Sequence, residues 1–229
     1  MNTSDNRRPP VEERFLFSVF LALSGGFQDA YTYIVRDQVF ANAQTGNIVL
    51  MSSCFMEGQW RRGAAYLFPL LAFAIGVWLA ENIQHRHRVR ARLDWRQLVL
   101  LLEMGIMLLV GFLPRRWNTL ANCLISLACA MQLQSFRTVA GNPYASTMCI
   151  GNLRSGTAAL SAYFRERRRE ELSKAPYYFG VIAVFALGAG LSGVLSRRIG
   201  ARTIWCAPLF LLIAVWLLGR EKKKAAASG

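Results

Sequence analysis

The sequence predicts an all-α integral membrane protein: six transmembrane helices plus two short re-entrant or broken segments, arranged as two inverted three-helix repeats. Three observations predict it. Apolar residues fill 54% of the 229 positions and charged residues only 17%, against about 25% charge in a soluble domain; mean hydropathy is +0.27. The apolar residues fall in blocks of membrane-spanning length rather than alternating with polar ones. A rare pattern also occurs twice, as Gln28-Asp29-Ala30 followed by Thr45-Gly46-Asn47, and as Gln132-Leu133-Gln134 followed by Ile150-Gly151-Asn152. Gly46 and Gly151 lie 105 positions apart (151 − 46), close to half the chain, as a duplicated unit requires.

A span needs roughly 20 mainly apolar residues. Six blocks qualify: Phe15 to Ile34, Gly63 to Ile83, Leu98 to Leu113, Leu120 to Phe136, Pro176 to Leu195 and Ile204 to Leu218. Two further blocks, Ala41 to Met56 and Ser146 to Phe164, are shorter or more polar, and they hold the Gly-Asn pairs. Paired interruptions of this kind in matching halves point to a transport site. Tyr66 to Gly76 and Tyr177 to Gly188 echo each other more weakly. The expected units are an N-terminal arm (1–14), two membrane repeats (15–116 and 117–219) and a basic tail (220–229) whose closing AAASG reads as appended sequence.

Charge sets the topology. The net charge is +14, and cations gather in four connections. These are the N-terminal arm (Arg7, Arg8, Arg14), the loop after the second full block (Arg86, Arg88, Arg90, Arg92, Arg96), the loop after the second short block (Arg165, Arg167, Arg168, Arg169, Lys174), and the C-terminus (Arg220, Lys222, Lys223, Lys224). The positive-inside rule puts all four on the cytoplasmic face. Both short blocks must then enter and leave on one side, with both termini cytoplasmic. Three crossings per half turn the second copy upside down relative to the first, and the two short segments approach each other near the midplane. Eight full spans is the alternative, because Arg36, Arg61, Arg62, Arg115, Arg116, Arg197, Arg198 and Arg202 make other connections basic too.

Asp29 lies well inside the first span. An ionisable group at that depth faces a cavity or a partner, so it is either a proton acceptor in coupled transport or one half of an ion pair. Arg154 follows Gly151-Asn152-Leu153, near the start of a half-helix whose bare amides favour an anion; its counterpart in the first half is Val49, so the cation is unpaired in the repeat. Thr45, Asn47 and Asn152 suit caps of the half-helices or cavity walls, and Gly46 and Gly151 allow close backbone approach. Gln28, Gln132 and Gln134 are expected to hydrogen-bond between helices. Glu103, about one turn into its span, is the second intramembrane carboxylate. Ser24-Gly25-Gly26 permits close helix packing.

Several classes are excluded or demoted. Cys54, Cys123, Cys129, Cys149 and Cys206 form no CxxC pair and read as small hydrophobes. His85 and His87 both sit in the Arg-rich loop, and no HExxH, zinc spacing, P-loop or Ser-His pair occurs at membrane depth. No enzyme activity, metal, cofactor or nucleic-acid partner is expected. The N-terminus lacks a signal-peptide pattern.

The runs SGGFQDAYTY, VFANAQTGNIVLM and MQLQSFRTVAGNPYASTMCIGNL resemble the YoaK-like family of bacterial inner-membrane proteins, a domain family of unknown function numbered 1275. The resemblance covers about Arg14 to Gly219, most specifically Gly26, Asp29, Ala30, Thr45, Gly46 and Asn47. It departs at Ile150, where Thr is usual. It implies a bacterial inner (cytoplasmic) membrane location and brings no substrate. The expected function is a small secondary transporter, proton-coupled through Asp29, taking a small anionic or zwitterionic solute near the midplane, with Asp29, Arg154 and the half-helix starts at the site. The lipid bilayer and the solute are its partners, and six spans leaves room for a homodimer. The alternatives are a passive channel or facilitator, and a membrane interaction or regulatory subunit locked by Asp29 and Arg154.

Overall fold

Every apolar block is a helix. The computed structural model describes residues 10–87, 94–139, 141–167 and 169–227. The helices are α1 (Phe15–Val35), α2 (Gln44–Met56), α3 (Trp60–His87), α4 (Trp95–Val110), α5 (Asn118–Ser135), α6 (Cys149–Glu166), α7 (Arg169–Ile199) and α8 (Ala207–Ala227). Sheet among the described residues is a two-residue antiparallel pair, Thr138–Val139 with Asn142–Pro143, in the connection between α5 and α6. The chain is all-α. Arg7, Arg8, Arg88, Arg90, Arg92 and Arg168, read above as cytoplasmic charges, lie outside the described residues.

Two boundaries differ from expectation. Helix α7 starts at Arg169 rather than near Pro176, so much of the expected basic loop is the first turns of a helix; Glu170 and Glu171 in its first turn complement the helix dipole. Among the described residues, two helical stretches, not six, are long and apolar enough to cross a membrane by length and composition: Trp60–Arg86, and the 52-residue run Arg169–Arg220 through α7, a 3₁₀ turn and α8. The others fall short for local reasons. Helix α4 has 16 residues, about 24 Å at 1.5 Å per residue, while α1 carries Gln28 and Asp29, and α5 carries Asn118, Asn122, Gln132 and Gln134.

Helix α1 is the hub. It runs antiparallel to α5: the Phe17 and Phe136 rings are 5.1 Å apart at one end, Cys129 Sγ donates to Gln28 Oε1 at 2.9 Å in the middle, and Asn122 Nδ2 donates to the Arg36 carbonyl at 2.7 Å at the other end. It runs parallel to α7, which meets it at Phe15–Gly180, Leu23–Gly188 and Ile34–Gly193. Helices α3 and α5 are likewise parallel, with Gly76 against Leu127 and Ala130 and Glu81 bonded to Gln134 and Arg137. One apolar cluster joins α1, α4, α5 and α8 through Phe17, Leu21, Leu100, Ile125 and Leu211, all fully buried.

Past Val35 the chain reverses sharply. Asp37 and Gln38 take φ of 64° and 59°, a left-handed conformation that strains residues with a Cβ. Arg36 anchors the reversal and is itself fully buried. Its guanidinium donates to Tyr31 Oη at 2.8 Å, Asn118 Oδ1 at 3.0 Å, and the carbonyls of Leu113 at 3.0 Å and Val110 at 2.9 Å. The Val110 carbonyl belongs to the last turn of α4, where exposed carbonyls and the helix dipole favour a cation. Arg36→Ala is expected to lower stability by about 3 kcal/mol, since charge-assisted hydrogen bonds are lost and buried acceptors stripped of donors. Arg36→Lys should recover less than half, because an ammonium cannot match the planar fork. Thermal unfolding of the purified protein reads both.

After the reversal the chain runs back along α1. Asn42 Nδ2 reaches the Gly25 carbonyl at 3.2 Å, so α2 begins beside the middle of α1. It then returns toward the end it came from: Cys54 packs with Val39 and Tyr66, and α3 starts there. The second short helix behaves alike from the other end. Helix α6 begins beside Gly25, which touches Thr147, and returns along α7, its Gly156 against Tyr178 and Phe179. The starts of α2 and α6 therefore meet in mid-bundle, coming from opposite ends.

Candidate functional site

Where the two short helices begin, a cavity of about 300 Å³ opens. Asp29 of α1, residues Asn42 to Thr45, residues Thr147 to Ile150, and Phe185 of α7 line it. Thr45 and Ile150 on its rim are exposed. A wider hollow of about 530 Å³ lies at the Arg36 end, between Tyr33, Asp37, Gln38, Arg62, Tyr66 and Arg115. Its ionisable residues Asp37, Arg62 and Arg115 are solvated, whereas the smaller cavity sets a buried carboxylate beside two helix starts.

Neither short helix is capped by a side chain. The N-cap residues are Ala43 and Met148, which have no oxygen to offer. The first-turn amides of a helix lack intrahelical partners, and an uncapped start attracts anions. Just ahead of α2, where the Gln44 and Gly46 amides already bond the Asn42 and Ala43 carbonyls, the protein supplies an anion of its own. Asp29 is 8% exposed; its Oδ1 accepts from the Asn42 amide at 2.9 Å, and the amides of Ala41 and Ala43 also face the carboxylate. At α6 no side chain among the described residues takes that place.

The repeated asparagines explain how the two starts are held. Asn47 Nδ2 donates to the Phe40 carbonyl at 2.7 Å, and its Oδ1 accepts from the Phe40 amide at 3.0 Å. Asn152 Nδ2 donates to the Ala145 carbonyl at 2.6 Å, and its Oδ1 accepts from the Ala145 amide at 3.3 Å. Each asparagine thus clamps the backbone seven residues earlier. Asn47 also donates to Gln44 Oε1 at 3.0 Å. Both are buried and neither lines the cavity: the Gly-Asn signature is a clamp that folds the incoming loop against the half-helix. Asn47→Ala or Asn152→Ala leaves a buried amide and carbonyl unpaired, at a cost of about 1–3 kcal/mol per group. Each variant should melt well below the parent, whereas Asn→Ala at the half-buried Asn82, which bonds only the Trp78 carbonyl of its own helix, should not; differential scanning fluorimetry distinguishes them.

The remaining expected residues divide. Thr45 is on the cavity wall. Gly46 packs on the Phe40 ring, where a Cβ would meet ring carbons at 3.1 Å, and Gly151 is exposed with open space beside it. Arg154 is on the exposed face of α6 and does not line the cavity; it lies in the second turn of α6, past the first-turn amides. Gln134 is also outside, bonded to Glu81. Gln28 and Glu103 form a buried cluster just behind Asp29. Gln28 Nε2 donates to Glu103 Oε1 at 2.9 Å and to Ser24 Oγ at 3.0 Å. With its amide nitrogen turned toward Glu103, Gln132 donates to both carboxylate oxygens at 3.1 and 3.3 Å and accepts from Ser146 Oγ at 3.0 Å. That orientation gives the acceptor-only carboxylate its donors. The cluster ties α1, α4 and α5 to the loop that feeds α6.

Several residues of the cavity wall escaped the sequence reading, Asn42, Gln44 and Thr147 among them. Asn42 and Thr147 are buried, and Asn42 Oδ1 and Thr147 Oγ1 have no hydrogen-bond partner. They are also 105 positions apart (147 − 42), the spacing of the Gly-Asn pairs, so applying that offset to every polar residue of the short blocks would have found them.

Searches of curated proteins and of solved structures find no match. Residues 17–217 do match the family described as "Protein of unknown function (DUF1275)", and that match spans nearly all of the chain, which therefore belongs to this family.

Proposed function

We propose that the chain is a small secondary transporter of the bacterial inner membrane, built as two inverted repeats, with α2 and α6 re-entrant between six crossings. Its solute is a small anion or zwitterion held in the cavity between the two half-helix starts, and Asp29 carries the coupling proton. One observation carries the reading: two uncapped helix starts, reached from opposite ends of the bundle, meet at a cavity beside a buried carboxylate. Discontinuous helices that aim their N-termini at a midplane site are a recurrent transporter device.

The packing supports the repeat. Exchanging α1–α4 with α5–α8 maps the α1–α7 contact onto α5–α3, α2–α3 onto α6–α7, and α1–α8 onto α5–α4, while α4–α8 maps onto itself. The antiparallel course of α1 and α5 supports its inversion. Charge supports the orientation: Glu12 and Arg96 pair at 3.3 Å, and Gln97 bonds the Val215 carbonyl of α8 at 3.4 Å, so the N-terminal arm, the start of α4 and the basic end of α8 share one face.

Uptake into proteoliposomes tests the proposal. Under an inside-alkaline gradient, at least one member of a panel of ¹⁴C-labelled small amino acids and organic acids should accumulate, and a protonophore should abolish the accumulation. Flux that ignores the gradient would mean a passive facilitator. Absence of flux across the panel, with a partner co-purifying, would favour an interaction subunit.

A further inference from the structure

The two half-helix starts are matched in place and unmatched in charge. The first has its anion built in, the Asp29 carboxylate on the Asn42 amide at 2.9 Å. The second has the same loop clamp, through Asn152, and the same uncapped first turn, yet no carboxylate. The Asp29–Asn42 arrangement shows what completes such a start. Beside it sit polar atoms that lack hydrogen: Asn42 Oδ1, a pure acceptor without a partner, and the Asp29 carboxylate. Thr147 Oγ1 is also unpartnered and acts as donor or acceptor. Phe185, Met148 and Ile150 give the cavity an apolar wall.

The geometry points to a small aliphatic zwitterion of α-amino-acid type as the ligand of this cavity. Its carboxylate sits on the amides of Cys149 and Ile150 that open α6, while Asp29 sits on the amides of Ala41, Asn42 and Ala43 just ahead of α2. Its ammonium lies between the Asp29 carboxylate, Asn42 Oδ1 and Thr147 Oγ1, and its side chain lies against Phe185. A cavity of about 300 Å³ accommodates a molecule of that size at the lower end of the usual ligand-pocket range. A plain anion would leave Asp29 facing a like charge, and a plain cation would face the positive end of α6; the zwitterion satisfies both. The inference rests on the transport reading only in taking this cavity as the solute site.

Equilibrium binding of ³H-L-leucine to the full chain in nanodiscs tests it without requiring transport. Unlabelled leucine should compete, while 4-methylpentanoate, which lacks the ammonium, and 3-methylbutylamine, which lacks the carboxylate, should each compete at least about 100-fold more weakly, because a site built to pair a polar group rejects the analogue without it. Thr147→Val, which keeps the shape of the side chain, should weaken leucine about tenfold and leave the melting temperature near that of the parent. Asp29→Asn should weaken it further. Competition by 4-methylpentanoate within about threefold of leucine would overturn the zwitterion in favour of a plain anion, equal competition by 3-methylbutylamine would overturn it in favour of a cation, and absence of saturable leucine binding would overturn it outright. Saturable binding without uptake would remove the transport reading and leave this assignment in place.

Discussion

Asp29→Asn is expected to abolish the proposed gradient-driven accumulation while leaving the fold intact. At one proton per solute with the membrane potential held at zero, a pH difference of one unit supplies about 1.4 kcal/mol and sustains an accumulation of about tenfold. With Asp29, the one carboxylate of the cavity wall among the described residues, replaced by an amide, the proton would have no carrier there and the ratio should fall to about one. The fold should survive because Asn keeps the size of the side chain and its carbonyl oxygen still accepts from the Asn42 amide. Melting should therefore move by a few degrees at most, in contrast to the Asn47 and Asn152 clamps. Counterflow, in which labelled solute exchanges for unlabelled solute without a gradient, should fall only as far as solute binding falls and recover at saturating solute, whereas accumulation should not. A variant that still accumulates solute tenfold under the gradient would remove the proton from Asp29. The neighbouring Glu103 offers a comparison, because it sits behind the cavity wall and is held by Gln28. Glu103→Gln presents donors where the Gln28 and Gln132 amides already donate, so it should reduce stability more than coupling.

How much of this was legible in the sequence depends on what each signal encodes. Helix positions follow from local apolarity, and so Phe15–Val35 and Gln44–Met56 fall where the blocks suggest. The starts of the two short helices do lie together in mid-bundle, at the positions that the paired Gly-Asn interruptions mark. Residue roles were less legible. The repeated Asn47 and Asn152 stand out because duplication keeps what a turn needs, yet their side chains are spent on backbone clamps and face away from the cavity. Asn42 and Thr147, which line it, differ in type between the halves, so only the 105-residue offset relates them. Arg154 seemed placed for an anion by linear proximity to Gly151, but helical rotation turns it to the outer face of α6. Arg36 looked like an ordinary loop cation, and only the tertiary approach of the α4 C-terminus makes it a buried anchor. Patterns of one to twenty residues carry helix type and span; the direction of a side chain inside a bundle depends on partners about a hundred residues away.

Gly26→Val is expected to prevent assembly of the bundle. At the crossing of α1 and α7 the two backbones touch, and a Cβ on Gly26 would overlap the Phe185 carbonyl. The obstacle is main chain on a packed helix, with no flexible side chain to swing aside, so relief requires moving α7 bodily. Gly188 repeats the situation from the other side, its Cβ position overlapping the Leu23 carbonyl, and Gly76 repeats it where α3 crosses α5 against the Leu127 carbonyl. Overpacking against backbone falls in the exceptional class of more than about 4 kcal/mol, comparable with the whole stability of many proteins at about 5–15 kcal/mol. The expected result is loss of the monodisperse peak on size-exclusion chromatography for Gly26→Val and Gly76→Val alike. Gly190→Ala is the control within the same helix pair: nothing lies within 4 Å of its Cβ position, and alanine favours the helix by about 1 kcal/mol, so that variant should match or exceed the parent in melting temperature. Gly26→Ala separates backbone contact from side-chain bulk. If the α1–α7 distance is what matters, the single methyl already suffices to disrupt; a Gly26→Ala protein as stable as the parent would mean that the helices can separate freely, and with them the cavity wall that joins Asp29 to Phe185.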